Sequence, residues 1–302
     1  MKKILIIFFS VMISTSFISC STFRDMIEKK DVVKIGSKGF TEQYILGELM
    51  AQVVENEGIS VERVFGMNGI KLIHDSLVNG RIDTYPEYTG SALMYILKKD
   101  ILEDGEDVYN TVKESYKEFE LVWLEPSKAD NKSVLVTTIE NSKRYNLKNF
   151  SDISAKSKDL VFCAPGEFWE RKDGIEYLNE NYGGFKDFRE TVKMDMGLQY
   201  KALIDGAFDV CLGNNTDGQI EKYNLIILED DKNIWPSYYA APVVRNELLE
   251  KYPQLEKKFN ALFSLLTTEV MKELNKKVDG DENMDAEDVA KEFLKANGLL
   301  GR

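Results

Sequence analysis

The sequence predicts an α/β protein built as two similar lobes in tandem with a ligand cleft between them. Three observations carry that expectation. Short apolar strands alternate with amphipathic helices from residue 32 to about residue 125. A motif that begins at Leu77, "LVNGRIDTYPEYTG", returns at Leu203 as "LIDGAFDVCLGNNTDG". Each copy also has its own opening, "VVKIGSKGFTEQ" and "DLVFCAPGEFWERKDG", and each opening reads as strand, glycine loop and helix start.

The chain of 302 residues is 43% hydrophobic and 30% charged, enough for one large domain or two modest ones. A net charge of −12 argues against a nucleic-acid partner, because phosphate binding needs a basic face. The first twenty residues stand apart: "MKKILIIFFSVMISTSFISC" has two lysines, about fifteen largely apolar residues and then Cys20. That apolar stretch is short for a bilayer span of roughly twenty residues and suits a secretory signal. The ending "FISC" resembles a bacterial lipobox with Phe17 in place of the usual leucine, which makes Cys20 the expected lipidated residue. An ordinary signal peptide or an uncleaved anchor are the alternatives, and all three put the body outside the cytoplasm. Residues 21–31 read as a polar tether.

The first strand is expected at 32–36, followed by a helix with Thr41 as N-cap and Tyr44, Ile45, Leu49 and Val53 at helical spacing, ended by Gly58. His74, the sole histidine, lies in "GIKLIHDSLVNG" and is read as a surface helix residue, so no histidine-based triad exists. In both repeated motifs a glycine stops a helix and, three residues later, an aspartate enters a strand. "IDTYPEYTG" (82–90) follows, where a proline-stiffened turn would turn Tyr85 inward and present Tyr88. Glu87 reads either as an exposed turn carboxylate or as a partner for a ligand ammonium. Asp217 is expected to shape its turn or to bond across to the other lobe. Cys163 and Cys211 lie in apolar strand-like runs and read as buried free thiols, although an exported location permits a disulfide. No metal-ligand spacing, EF-hand register or nucleophile motif is present, and neither a cofactor nor a catalytic activity is expected.

In open α/β sheets ligands bind beyond the carboxyl ends of the strands, where helix N-termini favour anions. The glycine loops and the loops after the repeated motifs all lie at such ends.

The strings "GSKGFTEQYILGEL", "NGRIDTYPEYTGS", "GEFWERKDG", "YKALIDGAFDVCLGNNTDG", "LEDDKNIWPSYYAAPVVR" and the C-terminal "VAKEFLKANGLL" resemble, in order, the osmoprotectant-binding proteins of ABC importers for glycine betaine, carnitine or choline. The resemblance implies a type II periplasmic-binding-protein fold: two α/β lobes, two crossover segments and closure on a ligand. It divides the chain into 32–132 plus 237–302 as one lobe and 133–236 as the other. It also implies an ABC permease and its ATPase as partners, and a monomer.

In that family a betaine is held at both ends, its carboxylate by a lysine, an arginine and a hydroxyl and its trimethylammonium in a box of tyrosines. By resemblance Lys38, Arg171 and Ser91 correspond to the carboxylate grip, and Tyr88 and Tyr238 to two box walls. The other two walls are replaced, by Ser133 in "ADNKSVLVT" and by Asn214 in "GNNTDG". Each lost ring forfeits roughly 0.5–2 kcal/mol of cation–π attraction. Tyr200, Tyr239 and Trp169 are the rings that could restore a wall. Arg171 has a competing role as a helix-surface partner of Glu167. The expectation is a solute-binding protein for a carboxylate-bearing zwitterion other than plain glycine betaine, such as an amino acid or a larger betaine with a heteroaromatic ring. A sensory receptor domain on the same lobes is the alternative.

Overall fold

The computed structural model of the chain describes residues 32–102 and 104–301. The signal segment, Cys20 and the tether lie outside the described residues. Strands β1 (Val32–Lys38), β2 (Ser60–Met67), β3 (Thr84–Tyr88), β4 (Leu121–Trp123) and β10 (Ala240–Arg245) form one five-stranded sheet in the order β2-β1-β3-β10-β4. Strands β5 (Ser133–Thr137), β6 (Val161–Ala164), β7 (Glu190–Lys193), β8 (Val210–Asn214) and β9 (Ile226–Leu228) form a second, in the order β7-β6-β8-β5-β9. The two orders are equivalent. In each, a parallel pair (β1 with β3, β6 with β8) is followed by an antiparallel strand that enters from the other half of the chain, β10 in one sheet and β5 in the other.

The repeated motif has a physical cause. Gly80 and Gly206 both adopt positive φ, +67° and +79°, the left-handed conformation that ends a helix at little cost when no Cβ is present. Asp83 and Asp209 then do the same work. The Asp83 carboxylate accepts the Lys34 amide at 2.7 Å, and the Asp209 carboxylate accepts the Val161 amide at 2.8 Å. Their own amides donate to the carbonyls of Lys34 and Val161. Each aspartate therefore fixes the register of its strand against the first strand of its sheet.

Both faces of each sheet are covered. Helices Thr41–Asn56, Gln254–Phe263 and Ala286–Ala296 close one face of the first sheet around Ile35, Leu49, Phe259 and Leu294. Tyr85, Tyr116 and Trp123 fill the other face. In the second sheet Phe162, Phe168 and Trp235 pack on one side and Cys163, Tyr200 and Cys211 on the other. Cys163 and Cys211 are register partners on adjacent strands, buried, and free.

Four local expectations are corrected. The first strand runs on to Lys38. The N-cap of the next helix is Phe40 without a side-chain cap, and the Thr41 hydroxyl donates instead to Asp279 at 2.7 Å. Residues 84–88 are a fully buried strand, not a loop. Pro86 is tolerated there because it faces Pro242 across the antiparallel ladder, a position where neither residue can donate. His74 is 5% exposed, edge-on to Tyr116 and Phe119 at 5.3 and 5.1 Å, and burial pulls its pKa below the ordinary histidine value.

The chain crosses between the sheets twice, over residues 124–132 and 229–239, and the crossings run side by side. Asp130 bridges Tyr239 antiparallel, and the Asn131 amide donates to the Tyr238 carbonyl at 2.9 Å. Near this hinge the Asn131 side chain donates to Glu42 at 3.0 Å and to the Thr216 hydroxyl at 2.9 Å, tying both halves together. Asn275 donates to Glu42 and to the Thr216 carbonyl, each at 2.8 Å, and Gly218 lies directly against the Asn275 backbone.

Candidate ligand-binding cleft

A cavity of about 80 Å³ opens between the two sheets at the carboxyl ends of β1, β3 and β6. Lys38 reaches it from the last residue of β1, Tyr88 from the last residue of β3, and Ser91 from the short turn Thr89–Ser91 that follows. Ser133 enters from the start of β5. Arg171 comes from the loop after the 3₁₀ turn Gly166–Trp169. Five of the seven residues expected to touch ligand thus share one cavity. Asn214 and Tyr238 are not among its lining residues. Asn214 faces Ser133 across the β5–β8 ladder, and the Tyr238 hydroxyl donates to Asp173 at 2.7 Å from behind the cavity wall. Burial, with Asp173 beside it, holds that phenol well above the usual tyrosine value.

The cationic groups are braced by internal carboxylates. Lys38 is buried and its ammonium pairs with Glu87, which is itself fully buried and also accepts the Tyr85 hydroxyl at 3.1 Å and the Tyr88 amide at 2.7 Å. Neither role considered for Glu87 describes this position, since the strand conformation of 84–88 turns its carboxylate inward against Lys38. Arg171 does not pair with Glu167. Its Nε and Nη2 donate to the two oxygens of Asp173 at 2.8 and 2.6 Å, a bidentate pair, and Nη1 donates to the Ser91 hydroxyl at 3.3 Å.

Much of each cation's donor capacity remains. An ammonium has three N–H donors, and among the described residues the Lys38 group donates to Glu87 alone. A guanidinium has five, and three of Arg171's are used. Ser91 accepts from Arg171, which leaves its own O–H to donate. Lys38, Ser91 and Arg171, with these remaining donors, line one cavity.

The aromatic surface of the cavity is Phe40, Tyr88 and Phe168. Phe40 stacks on Tyr88 with centroids 6.3 Å apart. The Lys38 ammonium lies 5.2 Å from the Tyr88 centroid, and the Tyr88 hydroxyl donates to Glu42 at 2.8 Å. Tyr200, Tyr239 and Trp169 do not line the cavity. Tyr200 is buried with its hydroxyl on Asp217, whose carboxylate also accepts the Asn214 amide at 2.9 Å, and burial pushes that carboxyl up to about 7. Asp217 therefore shapes its loop. Sequence reasoning missed Phe40, Asn131, Glu167, Phe168 and Asp173 as lining residues. Phe40, Phe168 and Asp173 lie inside the quoted strings "GSKGFTEQ" and "GEFWERKDG", so neighbourhood to Lys38 and Arg171 was the available signal.

A larger surface recess of about 440 Å³, lined by Thr138, Arg144 and Tyr223, lies on the second sheet's side away from these donors. Among the described residues no helix is long and apolar enough to cross a membrane, and no group of histidine, cysteine and acidic side chains is arranged to hold a metal.

Comparison with known proteins matches this architecture. The profile of the family described as "Substrate binding domain of ABC-type glycine betaine transport system" covers residues 31–296. The chain is 33% identical over 307 aligned positions to a carnitine transport binding protein of Listeria monocytogenes, with 99% of both chains covered. It is 34% identical over 278 positions to an ergothioneine transport permease/ergothioneine binding protein of Helicobacter pylori, covering 91% of this chain but only 49% of that longer protein. Among solved structures, one described as a glycine betaine/carnitine/choline ABC transporter superimposes with a TM-score of 0.69 at 30% identity, covering 88% of this chain and 99% of the other. Two lobes, paired crossovers and an interlobe cleft are the type II periplasmic-binding-protein fold, and the chain belongs to the family of substrate-binding domains of ABC-type glycine betaine transport systems.

Proposed function

We propose that the protein is an extracytoplasmic receptor that closes its lobes, 32–132 plus 237–302 and 133–236, on a small betaine-type zwitterion and delivers it to an ABC permease and its ATPase. The single observation that carries the solute class is the convergence of unspent donors from Lys38, Arg171 and Ser91 in one interlobe cavity. A carboxylate there accepts charge-assisted hydrogen bonds without dislodging Glu87 or Asp173. The other end of the solute differs from a plain trimethylammonium. Of the expected tyrosine box, Tyr88 alone lines the cavity, and the Lys38 ammonium already lies near its ring. A ligand methylammonium placed on that face meets a like charge. The ligand is therefore a carboxylate-bearing betaine larger or more polar than glycine betaine. Anchorage through a lipid on Cys20 and a monomeric state complete the reading.

The relatives named for carnitine and ergothioneine support it, the former along nearly its whole length. A thermal-shift screen tests it, with glycine betaine, carnitine, choline, proline betaine, ergothioneine and common amino acids. A ligand at 100 times its dissociation constant adds about 2.7 kcal/mol to stability. Shifts with carnitine or ergothioneine exceeding that with glycine betaine are expected. A shift with choline, which has no carboxylate, equal to that of the betaines would overturn the oxyanion grip.

A further inference from the structure

Around the cleft wall Glu42 accepts hydrogen bonds from Tyr88, Asn131 and Asn275, and Asp195 accepts one from Asn68. Lys38 is matched by Glu87 and Arg171 by Asp173. Glu167 lines both the main cavity and an adjoining recess of about 40 Å³ that also holds Asn68 and Asp195. Its carboxylate makes no hydrogen bond and no ion pair among the described residues. The backbone that carries it is held in place. It sits in the 3₁₀ turn Gly166–Trp169, and its carbonyl accepts the amides of Glu170 and Arg171 at 3.0 and 3.1 Å. The next residue, Phe168, is buried.

A half-buried carboxylate without an internal partner is a standing cost. Burial pushes the Glu167 carboxyl up, against the pull of Lys38 and Arg171 and with the help of Glu87 and Asp195. A ligand can remove the cost by supplying a donor. Methyl groups on nitrogen cannot do this, whereas an N–H can. Resting on the betaine reading above, we infer that Glu167 is a specificity-determining residue: it accepts an N–H from the end of the solute remote from its carboxylate, so the preferred ligand is a betaine with an N–H-bearing ring. This assigns the two ends of the solute to different walls. Lys38, Arg171 and Ser91 take the carboxylate, and Glu167 takes the donor.

Titration calorimetry on the full chain tests this with three probes: ergothioneine, which has ring N–H groups, and γ-butyrobetaine and glycine betaine, which have none. The wild type should bind ergothioneine at least tenfold more tightly than γ-butyrobetaine. Glu167→Gln should weaken ergothioneine at least tenfold while changing the other two less than twofold. Because Glu167 has no internal partner and its charge is a standing cost, the unliganded unfolding midpoint should not fall and should rise slightly. Acid should act selectively too: as pH falls through the Glu167 titration, which burial raises above the ordinary glutamate value, the wild type should lose ergothioneine affinity and the variant should not, since protonation weakens the acceptor. An equal loss for all three probes, or no loss for any, overturns the specificity role and leaves the betaine reading intact. A wild type silent to all three overturns the betaine reading itself, and this inference with it.

Discussion

Glu87→Gln isolates the brace behind Lys38. The carboxylate is fully buried and accepts three donors, the Lys38 ammonium, the Tyr85 hydroxyl at 3.1 Å and the Tyr88 amide at 2.7 Å. The amide has nearly the same volume, so no cavity forms. What changes is that Lys38, itself 7% exposed, loses its counter-charge, and one acceptor oxygen becomes a donor facing donors. Breaking a buried pair by neutralising one partner costs about 3–5 kcal/mol. At roughly 2 °C per kcal/mol, the low end suited to a longer chain, the unfolding midpoint falls by about 6–10 °C. Equilibrium urea denaturation gives the free energy and scanning calorimetry the midpoint. Saturating ligand should restore more stability to the variant than to the wild type, because the ligand carboxylate replaces the missing charge. A loss below 1 kcal/mol, with no extra rescue by ligand, would refute the claim that Glu87 braces the Lys38 ammonium in the cleft.

Asp217, pushed up to about 7 by burial, keeps a proton that the unfolded chain releases near pH 4, so its contribution to stability is lost as pH rises from about 4 through 7. Asp217→Asn should flatten that slope, and denaturation at pH 5 and pH 8, which spans about two units of the shift, should read a difference of up to about 3 kcal/mol. Burial pushes Cys163 up to about 12 and Cys211 well above the usual thiol, so neither should be alkylated at pH 8 in the folded protein, and both should be after denaturation, as mass spectrometry can count. A Cβ on Gly218 would lie 2.7 Å from the Asn275 carbonyl, so Gly218→Ala should cost about 1–3 kcal/mol and weaken ligand affinity by wedging the lobes apart at the hinge. An unchanged midpoint and affinity would show that this contact does not set closure.

The repeated architecture was legible because it rests on local chemistry. The glycines at 80 and 206 end helices within their own motifs, and the aspartates at 83 and 209 each bond the first strand of their sheet, 49 and 48 residues earlier, so the same spacing recurs in the sequence. The strand at 84–88 was harder. Pro86 reads as a loop residue until its partner Pro242, far along the chain, supplies a ladder position that needs no donor. His74 looked exposed because Leu72, Ile73, Ser76 and Leu77 make the other face of its helix, and the Tyr116–Phe119 turn that buries it comes from elsewhere. In the site, Lys38, Tyr88, Ser91, Ser133 and Arg171 came from the resemblance and do share one cavity. The pairings that decide its charge, Glu87 with Lys38 and Asp173 with Arg171, are set by three-dimensional placement, and they are what leave Glu167 unmatched.

The most direct test of the cleft as the binding site is a crystal structure with the betaine that shifts the unfolding midpoint most. The ligand carboxylate should lie within hydrogen-bond distance of Lys38 Nζ, Arg171 Nη1 and Ser91 Oγ, with Glu87 and Asp173 still in place. A ligand seated instead in the recess beside Thr138, Arg144 and Tyr223, with the interlobe cavity unchanged, would contradict the account.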